Sequence, residues 1–173
     1  DTITNKNMLK EIVSEFKSNN IRTSIFLDPD TKYIDSVCEI GPDRIELYTE
    51  QFAKEYAKNN LDVIKSYSKC ASEISKSGIG INAGHDLSLK NIKFFKENIN
   101  DLAEVSIGHS LIVESLFLGL ENTIIKYIRL LTWFMILSSK ILGSSAKELL
   151  ILHGFLGSGD NWISIGWKIV EFG

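Results

Sequence analysis

The sequence lacks three features that would identify a large class of proteins. Its 19 lysines and arginines stand against 22 aspartates and glutamates, a formal net charge of −3, so no long basic face for nucleic acid is expected. The most apolar run, LLTWFMIL at residues 130–137, is far shorter than the roughly 20 residues of a membrane span. Cysteine is scarce, and Cys38 and Cys70 form no pair motif, which favours a reduced, cytoplasmic setting over a disulfide framework. We therefore expect no nucleic-acid partner and no membrane.

What is present is the composition of an ordinary globular domain. The chain has 173 residues, of which 44% are hydrophobic and 24% are charged, and this is enough for a sizeable core. No secretory signal is expected. Because the chain begins at Asp1 rather than at methionine, we expect its true start to be missing.

Apolar periodicity predicts one helix followed by four strand–helix pairs. The first helix is NMLKEIVSEFKSN, and the predicted strands are RTSIFL, RIELYT, IGIN and LAEVSIG. The helices that follow them are TKYIDSVCEI, the long stretch EQFAKEYAKNNLDVIKSYSKCASEISKSG, LSLKNIKFFKENIN, and one or two helices in SLIVESLFLGLENTIIKYIRLL. This alternation predicts a parallel sheet with right-handed crossovers. Polar residues follow the strands, at the edge where such sheets bind ligands.

Two similar turns follow neighbouring strands, NAGHD at residues 82–86 and IGHS at residues 107–110. Small residues let the backbone approach a ligand, and amides at a helix N-terminus attract anions. The pattern predicts that Gly84, His85, Gly108 and His109 surround one pocket, a phosphate site with a proton donor beside it. The alternative is that each histidine caps a helix or is a satisfied polar group, and short motifs alone do not decide.

Two carboxylates also bear on chemistry. Glu46 alternates with Ile45 and Leu47, so it faces away from them, and above a barrel interior it would stabilise a developing positive charge. The alternative for Glu46 is a solvated or salt-bridged side chain. Asp28 is interpreted as a helix cap. The glycines of GIGINAG have the wrong spacing for a dinucleotide fingerprint and lie before and along the strand instead of after it, so that function is excluded.

Four ordered motifs resemble the second half of the pyridoxine 5'-phosphate synthase family, from about Asn5 to about Leu131. They are RTSIFLDPD, GPDRIELYTEQFA, GIGINAGHDLSLKNI and VSIGHSLIVESLFLGLENTI. The resemblance implies a cytoplasmic, homo-oligomeric TIM barrel in vitamin B6 synthesis, with phosphorylated small-molecule substrates and neither metal nor other cofactor. Such an enzyme condenses 1-deoxy-D-xylulose 5-phosphate with 3-amino-2-oxopropyl phosphate, closing the pyridine ring.

The same resemblance implies roles for individual residues. His85 takes the place of the family's proton donor, and Glu46 that of its transition-state stabiliser. Gly108 and His109 take phosphate-binding places. Asp86 does so as well, and because some relatives have glycine there, its contact would be through the backbone. Gly84, in the first turn, is also expected to be one of the phosphate-binding residues.

The resemblance covers part of the family's architecture. Four strand–helix units correspond to strands five to eight, so the expected fold is α/β, a partial TIM barrel with a C-terminal β/α extension. The family's Asn-x-Asp-His strand end and its proton-accepting histidine and glutamate belong to the other half and have no counterpart here. Because acid–base catalysis needs donor and acceptor together, we expect this chain alone to be inactive. Four strands also cannot close a barrel.

The tail changes character, so we predict two domains, 1–131 and 132–173. The segment SSKILGSSAKELLILHGFLGSGDNW resembles the N-terminus of an α/β-hydrolase, in which the amide of Phe155 would line an oxyanion hole. The sequence has no G-x-S-x-G nucleophile elbow, which leaves hydrolase activity unsupported. A P-loop is excluded because Asp160 stands where lysine is needed.

Two hypotheses of different classes remain. The chain is the C-terminal half of a pyridoxine 5'-phosphate synthase that acts with its missing half, or it is a catalytically incomplete read-through fragment with at most phosphate binding.

Overall fold

The structure is a computed structural model that describes residues 2–131. The predicted hydrolase-like segment, 132–173, lies outside the described residues. In chain order the elements are α1 (Lys6–Ser18), β1 (Ser24–Leu27), α2 (Ile34–Ile40), β2 (Arg44–Tyr48), α3 (Glu50–Ala57), α4 (Ile64–Lys76), β3 (Gly80–Gly84), α5 (Ile92–Asn98), β4 (Leu102–Ser106), α6 (His109–Leu118) and α7 (Leu120–Leu131). None of these helices is long and apolar enough to cross a membrane.

The four strands form one sheet in the order β1-β2-β3-β4, and every pair is parallel. Each strand is joined to the next by helix, so the predicted parallel α/β architecture is confirmed. Such a sheet is compatible with part of a TIM barrel, whereas the barrel itself stays a prediction.

One face of the sheet packs against helices and forms the core. Ile45, Leu47 and Ile81 point to this face and are each at most 1% exposed. Phe52 of α3 packs edge-on against Phe95 of α5, with ring centroids 4.9 Å apart. Burial of side chains of this size contributes about 1.5–3 kcal/mol each to the stability of the fold. This explains why the spacing of apolar residues predicted the helices and strands.

The face of the sheet opposite the core carries a group of hydrogen-bonded polar side chains. Arg22 lies just before β1 and Glu104 lies in β4, the two outer strands of the sheet. The Arg22 guanidinium reaches the Glu104 carboxylate, with Nη1 2.5 Å from Oε1 and Nη2 3.1 Å from Oε2. Asn82 of β3, one of the two strands between them, donates to the same carboxylate at 3.2 Å. These hydrogen bonds link the two outer strands across this face.

Two helices beside the sheet edges expose apolar side chains. α1 precedes β1, and α6 follows β4. The exposed side chains are Met8, Ile12 and Phe16 on α1, and Ile112, Val113, Leu116 and Phe117 on α6. Leu116 and Phe117 are 79% and 84% exposed, values unusual for large apolar residues on a folded helix.

Two predicted elements differ in their boundaries. The long helix expected from residue 50 to 78 is two helices, because Asn59 adopts the left-handed conformation (φ 60°), which asparagine tolerates. The helix expected from residue 87 or 88 begins at Ile92, since Asn91 accepts a hydrogen bond from the Ser88 amide (2.8 Å) in a preceding turn. The last helical stretch, predicted as one or two helices, is two helices separated by Gly119 at φ 79°.

The predicted capping role of Asp28 is wrong. The side chain of Asp30 accepts the hydrogen bond from the Lys32 amide at 3.0 Å and caps the short 3₁₀ turn Thr31–Tyr33 before α2. Asp28 is exposed, and its carbonyl accepts the Asp30 amide at 2.7 Å. The error arose because both aspartates of DPD fit a cap, and the proline between them does not distinguish the two positions.

Candidate active site

The two Gly-His turns lie at the same edge of the sheet. Gly84 ends β3 and His85 follows it, whereas Gly108 precedes α6 after the end of β4. β3 and β4 are adjacent and parallel, with Gly84 paired to Ser106. Both turns therefore follow the carboxyl ends of neighbouring strands, the edge at which parallel sheets bind ligands.

The first turn has a backbone that few side chains adopt. His85 and Asp86 have φ values of 84° and 57°, and both side chains are about half exposed. The Thr49 hydroxyl lies within hydrogen-bond distance of the carbonyls of Gly84 (2.7 Å) and His85, and the Asn91 amide group donates to the Asp86 carbonyl at 3.2 Å. Left-handed non-glycine residues held by surrounding contacts are typical of functional sites.

His85 has two neighbours that fix its ring. Its Nδ1 lies 3.4 Å from Oδ2 of Asp86, an ion pair when the imidazole is protonated. Its ring also lies 4.7 Å from the ring of Tyr48, centroid to centroid, at an interplanar angle of 56°. The imidazole is accessible and held at one edge, an arrangement suited to proton transfer.

Glu46 is buried on the face of the sheet opposite the core. It is 9% exposed, in the middle of β2, and the Ser106 hydroxyl donates to its carboxylate. Burial raises the pKa of Glu46, the Ser106 hydrogen bond opposes the shift, and the nearby Glu104 carboxylate adds to it. A carboxylate in so dry a position interacts strongly with any positive charge that develops next to it.

The position of the Glu46 side chain leaves room only for glycine at position 84. A β-carbon placed on Gly84 would lie 2.1 Å from Oε1 of Glu46 and 3.0 Å from the Ser106 β-carbon. The glycine therefore makes room for the carboxylate of the neighbouring strand. The sequence alone indicated a phosphate contact for Gly84 and gave no sign of this packing, which depends on the register of Tyr48 with Gly84.

The second turn begins a helix. His109 is the first residue of α6 and is exposed, and the Gly108 carbonyl accepts the Ile112 amide at 3.2 Å. α6 spans ten residues, so its first amides and its dipole face the same edge as His85. The turn can hold an anion there.

Glu114 joins the two turns through helix α6. Its Oε1 accepts the Leu89 amide at 3.2 Å, in the segment after His85, and its Oε2 accepts the Tyr127 hydroxyl at 2.5 Å. Burial and the bond to Glu114 raise the pKa of Tyr127, which keeps the hydroxyl protonated as a donor. The sequence gave no indication of Glu114, because its partners are 25 and 13 residues away.

Comparison with known proteins shows the family of the chain. The family described as "Pyridoxal phosphate biosynthesis protein PdxJ" matches residues 1–132. The chain belongs to this family. A pyridoxine 5'-phosphate synthase of Christiangramia forsetii is 57% identical over 131 residues, covering 76% of this chain and 55% of the relative.

Two further relatives carry the same name. The pyridoxine 5'-phosphate synthase of Flavobacterium johnsoniae is 54% identical over 129 residues, covering 75% of this chain and 54% of that protein. The synthase of Bacteroides fragilis is 46% identical over 127 residues, covering 73% and 54%. The chain thus spans about half the length of the curated relatives it matches. The hydrolase-like segment lies beyond the matched range and stays a prediction.

Proposed function

We propose that the chain is the C-terminal, proton-donating half of a pyridoxine 5'-phosphate synthase. The complete enzyme joins 1-deoxy-D-xylulose 5-phosphate to 3-amino-2-oxopropyl phosphate, closes the pyridine ring and releases phosphate and water. One observation carries the proposal: two Gly-His turns follow adjacent parallel strands, next to a buried carboxylate, in a member of this family.

Each residue has a role in this proposal. His85 donates a proton to a leaving oxygen, and its exposed, half-anchored imidazole supports this role. Glu46 stabilises positive charge on the condensing substrates, which its burial favours. Gly108 and His109 bind a substrate phosphate through the start of α6, and Gly84 and Asp86 complete the phosphate site through their backbone.

The proposal also concerns assembly. The four-stranded parallel sheet is half of an eight-stranded TIM barrel, and the other half supplies the proton acceptors and covers the apolar faces of α1 and α6. The assembled enzyme is a homo-oligomer. The free cysteines, Cys38 and Cys70, support a cytoplasmic location. We propose no nucleic-acid or membrane partner, in keeping with the near-balanced charge.

A second candidate rests on the length of the match. The chain spans about half of its relatives, so it is also consistent with a catalytically incomplete fragment that binds phosphate and has no activity of its own. The two candidates share the phosphate site and differ in whether a complementary half restores product formation.

A titration with inorganic phosphate tests the shared site. We expect it to shift the amide resonances of Gly84, Gly108 and His109 in the ¹⁵N-labelled chain, and His109→Gln to weaken the binding. Lys65→Gln is the matched control, because Lys65 is an exposed cation of α4 outside the site. The site assignment is wrong if these amides do not respond, or if the Lys65 variant loses as much affinity as the His109 variant.

A further inference from the structure

We infer that Tyr48 is a positioning residue that holds the imidazole of His85 in its proton-donating orientation; this rests on the proposed function. The two residues come from neighbouring strands. Tyr48 is the last residue of β2 and pairs in register with Gly84, the last residue of β3. Because Tyr48 and Glu46 are two apart in one strand, the Tyr48 side chain lies with Glu46 on the face of the sheet opposite the core.

The backbone of His85 brings its ring onto Tyr48. With φ at 84°, the chain turns sharply after Gly84, and the imidazole comes to lie 4.7 Å from the phenol ring. Aromatic pairs at this distance and at a tilted angle attract each other. The contact therefore restrains a side chain that is 51% exposed and would otherwise sample several rotamers.

Tyr48 is itself fixed at both ends of its ring. Its hydroxyl donates to Oε2 of Glu50 at 2.9 Å, and Glu50 is paired with Lys54. This hydrogen bond raises the pKa of Tyr48, which keeps the hydroxyl protonated. On the other side, Phe26 meets the ring edge-on at a centroid distance of 6.5 Å. A ring fixed in this way can serve as a rigid support for His85.

The ring and not the hydroxyl makes the contact, and this gives a graded test. Tyr48→Phe keeps the aromatic surface, whereas Tyr48→Leu removes it. The population of correctly placed imidazole should fall about threefold to tenfold in Tyr48→Leu, the usual weight of an aromatic pair, and much less in Tyr48→Phe. Tyr33→Leu is the matched control, because Tyr33 is partly buried next to the core but contacts Lys32 instead of His85.

The first measurement does not depend on activity. The chain contains three histidines, so their ring resonances can be assigned with His85→Gln and His109→Gln in a ¹³C-labelled sample. In Tyr48→Leu, the His85 ring resonance should lose its ring-current shift while that of His109 stays in place. Tyr48→Phe should retain the shift, and Tyr33→Leu should leave it unchanged. An unmoved His85 resonance in Tyr48→Leu overturns the inference, as would equal loss in Tyr48→Phe.

The second measurement uses the chain co-expressed with the first half of the Christiangramia forsetii relative. Tyr48→Leu should lower kcat about threefold to tenfold with little change in KM, and Tyr48→Phe should restore most of it. A rise in KM alone would mean that Tyr48 binds substrate and does not position the donor. If the unaltered pair makes no product, the proposed function fails, and the histidine resonances then decide the contact by themselves.

Discussion

Replacing Gly84 with alanine should force Glu46 out of its buried position. The added β-carbon would lie 2.1 Å from the Glu46 carboxylate oxygen, so this oxygen must move, and 3.0 Å from the Ser106 β-carbon, which is tighter than most contacts of a real β-carbon. Inserting a methyl group into a packed site costs about 1–3 kcal/mol. Displacing Glu46 also breaks its hydrogen bond from Ser106, worth about 1 kcal/mol. Because the clashing oxygen is the far end of a flexible side chain that can rotate away, we expect Gly84→Ala to lower the free energy of unfolding by about 1–3 kcal/mol.

A double-mutant cycle separates this cause from others. In a Glu46→Ala background the clashing oxygen is absent, so Gly84→Ala should lose most of its cost, leaving a coupling of about 1 kcal/mol or more. Urea unfolding followed by circular dichroism, at one fixed protein concentration, measures all four chains. Gly78→Ala is the control, because its β-carbon meets nothing within 4 Å and its cost comes from φ 76° alone. If the costs of Gly84→Ala and Glu46→Ala are additive within about 0.5 kcal/mol, the clash with Glu46 is not the cause of the lost stability.

Three further predictions follow from the fold and the site. Because apolar faces and strand edges are exposed, the chain should self-associate with rising concentration, and sedimentation showing a monomer at all concentrations would contradict this. In the reconstituted synthase, His85→Ala should lower turnover about a hundredfold or more, whereas His109→Ala should mainly raise KM; the reverse pattern would show that the roles are exchanged. Burial raises the pKa of Glu46 above its ordinary 4.5, so between the two pKa values the folded chain holds a proton that the unfolded chain releases. The free energy of unfolding should therefore fall as pH rises through the raised pKa, and Glu46→Gln should flatten this part of the pH curve in urea melts. An unchanged pH curve in the Glu46→Gln variant would argue against a raised pKa of Glu46.

The sequence predicted the order of elements because apolar periodicity reports burial directly. Ile45 and Leu47 alternate with Glu46 in β2, and the structure buries the first two in the core on the opposite face from the third. The ends of helices were harder to predict than their order. Asn59 broke a helix whose periodicity continued on both sides, since apolar spacing does not register a single left-handed residue.

Contacts between distant residues were beyond the sequence. Arg22 and Glu104 are 82 residues apart, and their pairing depends on how the four strands are ordered in the sheet. The need for glycine at position 84 likewise depends on strand register, and the Tyr48–His85 contact on one unusual φ value. The sequence was enough to predict which residues lie at the strand ends, whereas the packing between strands could be seen only in the three-dimensional structure.

Reconstitution of the synthase tests whether this chain supplies the proton-donating half of the enzyme. The chain is mixed at increasing ratios with the first half of the Christiangramia forsetii relative, and pyridoxine 5'-phosphate formed from the two substrates is measured. We expect no product from either half alone, and a rate that rises to a plateau near equimolar amounts and is lost with His85→Ala. A well-folded mixture that forms no product at any ratio would contradict it, and so would product formed by the first half without this chain.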